Sequence, residues 1–191
     1  MEMCKCRFRI TSDSPVLFCR YHGEPVLDGE TPDQQEQRTW KERAHYNNKG
    51  HVIIPGYMIQ KTLEAAGKLS GDRVGGKKTG KAMHSYLSLI RVKGDIDTDM
   101  TRDDLQRITA FVSANGKPDG GKVPRNYPII PEWEGKLTFL YPDRMKTILS
   151  SEKIEDYLDL AGTCIGIGHW RPGAPSKGSY GTFTVKRLKS K

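Results

Sequence analysis

A glycine-rich, basic segment near the end of the sequence carries the groups that a phosphodiester chain needs. It runs from Gly166 to Thr182 and has glycines at positions 166, 168, 173, 178 and 181. Glycine has no side chain, so peptide N–H groups can approach phosphate oxygens closely there. The other candidate groups are two cations, Arg171 and Lys177, and two rings on which bases can stack, Trp170 and Tyr180. This pattern predicts contact with the backbone of single-stranded nucleic acid.

The position of this segment excludes a nucleoside-triphosphate loop. Such a loop follows a strand, opens a helix and ends in Gly-Lys-Ser/Thr. Here a predicted helix precedes the segment and a predicted strand follows it. A second explanation of the glycines is a helix C-cap at Gly166 or Gly168, followed by a surface loop.

The overall charge agrees with a polyanionic partner. The 191 residues include 31 Lys and Arg against 23 Asp and Glu, a formal charge of +8. Such an excess suits nucleic acid or an anionic membrane. No stretch approaches the ~18 apolar residues of a membrane span, and the N-terminus lacks the apolar core of a signal peptide. Four cysteines do not make a disulfide scaffold. We therefore expect a cytoplasmic protein without membrane contact.

The elements that must position these residues follow a recognisable order. Residues Cys4 to Thr11 alternate between apolar and polar, which predicts a strand with Lys5, Arg7 and Arg9 on its outer face. Strand, helix, strand, strand, helix and strand are predicted at about 4–12, 56–69, 85–93, 133–141, 151–165 and 181–188. This is the βαββαβ order of a ferredoxin-like (RRM-like) α+β fold. Its antiparallel sheet carries both helices on one face.

We predict one domain over residues 1–191 with two interruptions. A basic loop at 70–82 contains Lys77, Lys78 and Lys81 among glycines. Residues 95–132 are predicted to be an insertion outside the core, opening with an acidic turn and carrying Lys122 and Arg125.

Three of these features resemble the repeat-associated mysterious protein (RAMP) superfamily. The segment 166–182 resembles its C-terminal glycine-rich loop. Residues 51–63 (HVIIPGYMIQKTL) resemble the I-P-G-S-S-x-x-G-x-x-R start of the first helix in backbone-type members, with Tyr57 and Met58 in place of the small polar pair. The 95–132 insertion lies where those members carry a thumb-like hairpin. The superfamily includes CRISPR RNA-binding backbone subunits and processing ribonucleases.

The resemblance implies sequence-tolerant binding of single-stranded RNA or DNA, with RNA favoured. It implies a multi-copy backbone subunit of a CRISPR-type ribonucleoprotein in antiviral defence, associating with itself along the nucleic acid or with other subunits. A virus-borne protein that mimics such a subunit is an alternative. No cofactor is expected. The predicted nucleic-acid-binding residues are Arg7, Arg9, Arg20, Lys61, Lys77, Lys78, Lys81, Lys122, Arg125, His169, Trp170, Arg171, Lys177 and Tyr180.

Two chemical alternatives remain open on the residues alone. A metal-independent endoribonuclease would use His22 or His169 as its base, but no spacing in the sequence establishes one, so we predict binding rather than catalysis. A zinc site would use Cys4, Cys6, Cys19 and His22. Cys4 and Cys6 also fall on the apolar face of the first strand, so we expect them in the core.

Overall fold

A computed structural model describes residues 2–76, 79–113 and 120–189. Its strands are β1 (Met3–Ser12), β2 (Val16–Leu17), β3 (His45–Tyr46), β4 (His51–Ile54), β5 (Arg91–Lys93), β6 (Ile96–Thr101), β7 (Gln106–Ser113), β8 (Lys122–Ile130), β9 (Glu134–Pro142) and β10 (Phe183–Leu188). Its helices are α1 (Pro32–Thr39), α2 (Gly56–Ser70), α3 (His84–Leu87) and α4 (Ser151–Leu160), the last continued by a π-helical turn, Ala161–Ile165.

The main sheet has four antiparallel strands in the order β10-β1-β9-β5. These are the four strands that the sequence predicts for the βαββαβ core, with α2 after the first and α4 after the third. The predicted α+β fold with an antiparallel sheet is therefore confirmed.

One face of this sheet carries the core. Phe8 and Ile10 of β1 and Phe139 of β9 are fully buried. They share one apolar cluster with Leu63 of α2 and Leu158 of α4. Since side chains alternate along a strand, Lys5, Arg7 and Arg9 lie on the opposite face, as predicted.

The predicted strand at 85–93 is wrong in its first half. Residues His84–Leu87 form α3, and only Arg91–Lys93 form a strand. Met83, Leu87 and Ile90 are all buried, a spacing of four and three residues that fits a helical face. The short helix packs against α2 at Gly67, where an added Cβ would lie 3.0 Å from the His84 Cα.

Residues 95–132 are not an insertion outside the core. The expected acidic turn contains β6, which pairs with β4 in a second sheet, β3-β4-β6. β7 and β8 form an antiparallel hairpin to which β2 adds a third strand. Ile96, Leu105 and Ile130 are buried members of the main core. Toward the hairpin tip the side chains become exposed, and Phe111 is 72% exposed.

In the described parts of the chain, every helix is too short or too polar to cross a bilayer.

Candidate nucleic-acid interface

A cleft of about 570 Å³ forms where four segments meet. They are the chain after β2, the start of β3, the first turns of α2, and the start of the glycine-rich segment with the residue before it. The lining residues are Phe18, Cys19, Arg20, Tyr21, His45, Tyr57, Met58, Lys61, Thr62, Ala65, Ile165, Ile167, Gly168, His169 and Arg171. This set includes four of the predicted binding residues, which come from three of these segments: Arg20, Lys61, His169 and Arg171.

Helix α2 is held in place by its first residue and lies against the glycine-rich segment at one buried hydroxyl. The Gly56 N–H donates to Asp95 Oδ1 at 2.8 Å, and a Cβ at this position would overlap the Gly94 carbonyl oxygen. The hydroxyl of Thr62, which is 5% exposed, donates to the Met58 carbonyl oxygen at 2.8 Å and lies 3.3 Å from the Gly166 carbonyl oxygen. At Thr62, α2 therefore lies directly against the glycine-rich segment.

The cleft is positively charged. The guanidinium of Arg20 donates to the Ala44 carbonyl oxygen at 3.3 Å, and that of Arg171 donates to the Gly168 carbonyl oxygen at 2.9 Å. The Lys61 ammonium lies 3.4 Å from a Glu64 carboxylate oxygen, but its side chain is 75% exposed. No carboxylate is among the described residues that line the cleft. An anionic ligand would therefore meet three cations there.

Two exposed tyrosines lie on the same cleft. Tyr21 is 88% exposed and Tyr57 is 57% exposed, which is unusual for rings of this size. Tyr57 stands edge-on to His45, with ring centroids 6.2 Å apart. Tyr57 and Lys61 are four residues apart on α2, so they share one helical face. The cleft thus pairs a ring with a cation.

Two histidines in the cleft are held neutral by their surroundings. Burial lowers the pKa of His169, and the charges of Arg171 and Arg43 lower it further. Burial also lowers the pKa of His45, with Arg20 acting in the same direction. At neutral pH both rings are therefore uncharged, and each can accept a proton or a hydrogen bond.

The predicted role of the glycine-rich segment is wrong for many of its N–H groups. The Ile167 N–H donates to the Gly181 carbonyl oxygen at 2.9 Å, and the Gly181 N–H donates to the Pro15 carbonyl oxygen at 2.7 Å. The His169 N–H donates to the Leu17 carbonyl oxygen at 2.8 Å, and the Gly173 N–H donates to the Ile165 carbonyl oxygen at 2.9 Å. These donors already bind the protein, so they cannot hold phosphates.

The glycines of this segment allow separate stretches of its backbone to pack in direct contact. A Cβ at Gly181 would overlap the Ile167 carbonyl oxygen, and one at Gly178 would overlap that of Trp170. Gly181 also has a φ of +69°, which a side chain disfavours. The segment is therefore a compact folded unit that supplies one wall of the cleft.

Trp170 and Tyr180 are partly buried, and each packs against another ring of the protein. Trp170 lies 5.1 Å from Tyr127 of the hairpin, 4.9 Å from His169 and 6.4 Å from Tyr180, measured between ring centroids. His169 is also stacked on Tyr127, at 4.8 Å and 23°. Trp170 and Tyr180 pack against a small apolar cluster that includes Leu17 and Tyr127. They join the glycine-rich segment to the hairpin.

Arg125 has a structural partner instead of a free charge. Its guanidinium lies 2.9 Å from Glu36, whose side chain is 5% exposed, and Arg43 also lies 2.9 Å from Glu36. The Asn126 N–H donates to the same carboxylate at 2.7 Å. Burial alone would raise the pKa of Glu36, but these three donors together hold it below its ordinary value. The network ties α1 to β8.

Among the described residues, the other predicted cations do not line the cleft. Arg7 and Arg9 lie on the opposite face of the main sheet, and Lys81 lies 5.5 Å above the Tyr86 ring beyond the end of α2. Lys122 begins β8 near the hairpin tip, and Lys177 is exposed in the glycine-rich segment. Lys77 and Lys78 lie outside the described residues.

The proposed zinc ligands are not brought together. The Cys4 thiol donates to Asp143 at 3.1 Å and the buried Cys6 thiol to the Phe139 carbonyl oxygen at 3.9 Å, both on β1. Cys19 lies at the cleft instead. The one grouping of metal-ligand atoms within the described residues is His51, Asp97 and Asp99.

Three solved structures with low sequence identity resemble this chain. A chain of the type III-B Cmr-beta complex bound to cognate target RNA matches 98% of this chain and 61% of its own length, with 13% identity and a TM-score of 0.48. Cmr6 from Pyrococcus furiosus matches 96% of this chain and 99% of its own, with 12% identity and a TM-score of 0.49. A CRISPR RNA-guided surveillance complex matches 81% of this chain and 58% of its own, with 6% identity and a TM-score of 0.32.

The chain spans less than two thirds of the Cmr-beta chain that it matches. At these identities and TM-scores the likenesses concern the fold and assign no role to any residue. No protein-family model and no curated protein matches the sequence.

Sequence reasoning missed Tyr21, Tyr57 and His45 as members of the site. Tyr57 and Lys61 are spaced four apart on a predicted helix, so their shared face could have been foreseen. Tyr21 and His45 come from segments without periodicity, and only the fold brings them to α2.

Proposed function

We propose that the cleft binds single-stranded nucleic acid, with RNA as the favoured ligand. The observation that carries this proposal is the composition of the lining: three cations and two exposed tyrosines, with no carboxylate among the described lining residues. Cations contact phosphate oxygens, and an exposed ring accepts any base on its face. Binding of this kind tolerates sequence and weakens with salt.

The RAMP resemblance supports the finer part of the proposal. It makes RNA the expected strand and a CRISPR-type ribonucleoprotein the expected setting, with several copies of this chain lying along one RNA. The glycine-rich segment and residues 51–63, which carry that resemblance, supply two of the four segments that line the cleft. Antiviral defence and self-association belong to this proposal.

A matched pair of double variants tests the cleft. Lys61 and Lys68 both pair with Glu64 on α2, at 3.4 and 3.0 Å, but only Lys61 lines the cleft. We expect Arg20→Ala/Lys61→Ala to weaken binding of a fluorescent single-stranded RNA. The slope of log affinity against log salt should fall by about 1.4, because each lost contact to a single strand removes about 0.7.

The control is Lys68→Ala/Arg144→Ala, which removes the same charge from exposed positions away from the cleft. It should leave both affinity and slope close to those of the unchanged protein. If the two double variants weaken binding equally, net charge explains the effect and the cleft is not the site. If neither changes binding, the proposal is wrong.

A second candidate function, metal-independent RNA cleavage, is favoured by one observation. His45 and His169 line the same cleft and are both kept neutral, the state a general base needs. His22, the other predicted base, is not in the lining but stacks on Tyr21 at 6.5 Å. Cleavage of RNA in the presence of a chelator, absent with 2′-deoxy substrate and lost in His169→Ala, would support it. An intact RNA after long incubation would refute it.

A further inference from the structure

The outer face of the main sheet, opposite the helices, carries cations from all four strands. Cross-strand register places Lys186, Arg9 and Lys136 in one row, and Arg7, Thr138 and Lys93 in the next. Lys5 pairs with Leu140, which pairs in turn with Arg91. Of these cations, Lys5, Arg91, Lys93, Lys136 and Lys186 are exposed, and Arg7 and Arg9 are half-buried. The face is open.

The spacing of this surface suits a regular polyanion. Neighbouring strands lie about 4.8 Å apart and alternate residues along a strand about 6.7 Å apart, so the cations form a grid about 14 Å wide. On the four strands this face holds one acidic side chain, Glu134, which lies 3.7 Å from Arg9. The remaining positive charge has no acidic partner on the face.

The outer face lacks the side chains that hold unpaired bases. RRM-like sheets that bind single strands stack bases on aromatic residues of this face. Here the outward positions of β1, β5, β9 and β10 hold no aromatic residue, and the apolar ones are Met3, Leu140 and Leu188. The outer face therefore offers positive charge but no aromatic ring on which a base could stack.

We propose that this outer face binds the phosphate backbone of a nucleic-acid duplex, separately from the cleft. A duplex hides its bases and presents about one negative charge per 1.7 Å of axis, so several of its phosphates would face the cations of this sheet at once. No residue of the four sheet strands lines the cleft, so the two ligands contact different residues. The protein would then hold a single strand on its helical side and a duplex on its sheet side.

The test compares Arg7→Gln/Arg9→Gln/Lys136→Gln with a control of equal charge, Arg144→Gln/Lys146→Gln/Lys153→Gln. The probes are a short B-form DNA duplex and a short single-stranded oligonucleotide, each titrated from low to high salt. The sheet variant should show a duplex salt slope smaller by about 2.7, since each duplex contact contributes about 0.9. When salt rises from 50 to 200 mM, the affinity of the sheet variant for the duplex should therefore fall about 40-fold less than that of the unchanged protein.

The control variant should keep the duplex slope, and the sheet variant should keep single-strand binding. Unchanged duplex affinity in the sheet variant, or an equal loss in both variants, would overturn the proposal. The proposal would also be overturned if the unchanged protein bound phosphatidylserine vesicles but no duplex, and the sheet variant lost the vesicle binding. The proposal that the cleft binds a single strand is tested separately, by the affinity of Arg20→Ala/Lys61→Ala for the single-stranded probe.

Discussion

Replacing Glu36 by alanine should destabilise the protein strongly without touching the cleft. Its carboxylate is 5% exposed and lies 2.9 Å from both Arg43 and Arg125. Removing one partner from a buried ionic network leaves unpaired charge behind and costs about 3–5 kcal/mol. For a chain of this size, each kcal/mol lowers the melting temperature by about 2–4 °C. We therefore expect a drop of about 6–20 °C.

Thermal and urea unfolding measure this effect, and Glu134→Ala is the control. Glu134 forms an ion pair with Arg9 at 3.7 Å, but its side chain is 52% exposed. An exposed pair contributes about 0–1 kcal/mol. If the melting temperature of Glu36→Ala falls no further than that of Glu134→Ala, the network does not stabilise the fold as described.

The same network predicts how stability depends on pH. The pKa of Glu36 is lowered from 4.5 in the folded protein. Its contribution is therefore complete above about pH 4.5 and is lost as the pH falls through the lowered folded pKa. The difference in unfolding free energy between Glu36→Gln and the unchanged protein should shrink over that acid range. A difference that stays constant there would contradict the assignment.

Three further outcomes follow from the site and its supports. Tyr57→Ala should weaken RNA binding by about 5- to 150-fold, measured by fluorescence anisotropy, because one stacked base contributes about 1–3 kcal/mol. Gly178→Ala should destabilise the fold by about 1–3 kcal/mol in urea unfolding, because its Cβ would overlap the Trp170 backbone, whereas Gly23→Ala, with nothing within 4 Å, should not. Lys177→Ala should leave RNA affinity unchanged in the same anisotropy assay, since Lys177 lies outside the cleft lining.

The main sheet could be predicted from the sequence because its strands carry strong local signals. Alternation from Cys4 to Thr11 fixed β1, and the core face that it predicts is the one observed, with Phe8 and Ile10 fully buried. The short helix α3 was missed because four residues give no periodicity of their own. Its signal was the spacing of Met83, Leu87 and Ile90, which becomes visible only with the buried positions known.

The sequence predicts some of the cations of the site but not the role of its glycines. Arg20, Lys61 and Arg171 meet in one cleft, whereas the other described cations of the predicted set lie elsewhere. The glycines of 166–182, however, permit close packing, because the contacts at Gly178 and Gly181 are to main-chain atoms of the same segment. Whether a glycine faces a ligand or its own chain is a tertiary property that sequence spacing does not encode. Arg125 shows the same limit, since its partner Glu36 lies 89 residues away.

Photo-crosslinking of single-stranded RNA containing 4-thiouridine, followed by peptide mass spectrometry, tests the cleft most directly. If RNA binds in the cleft, adducts should form on Tyr21 or Tyr57, since these rings are 88% and 57% exposed and lie beside the cations. These adducts should disappear in Arg20→Ala/Lys61→Ala and persist in Lys68→Ala/Arg144→Ala. Adducts confined to Trp170 or Tyr180, or to peptides outside the cleft, would contradict the proposed site.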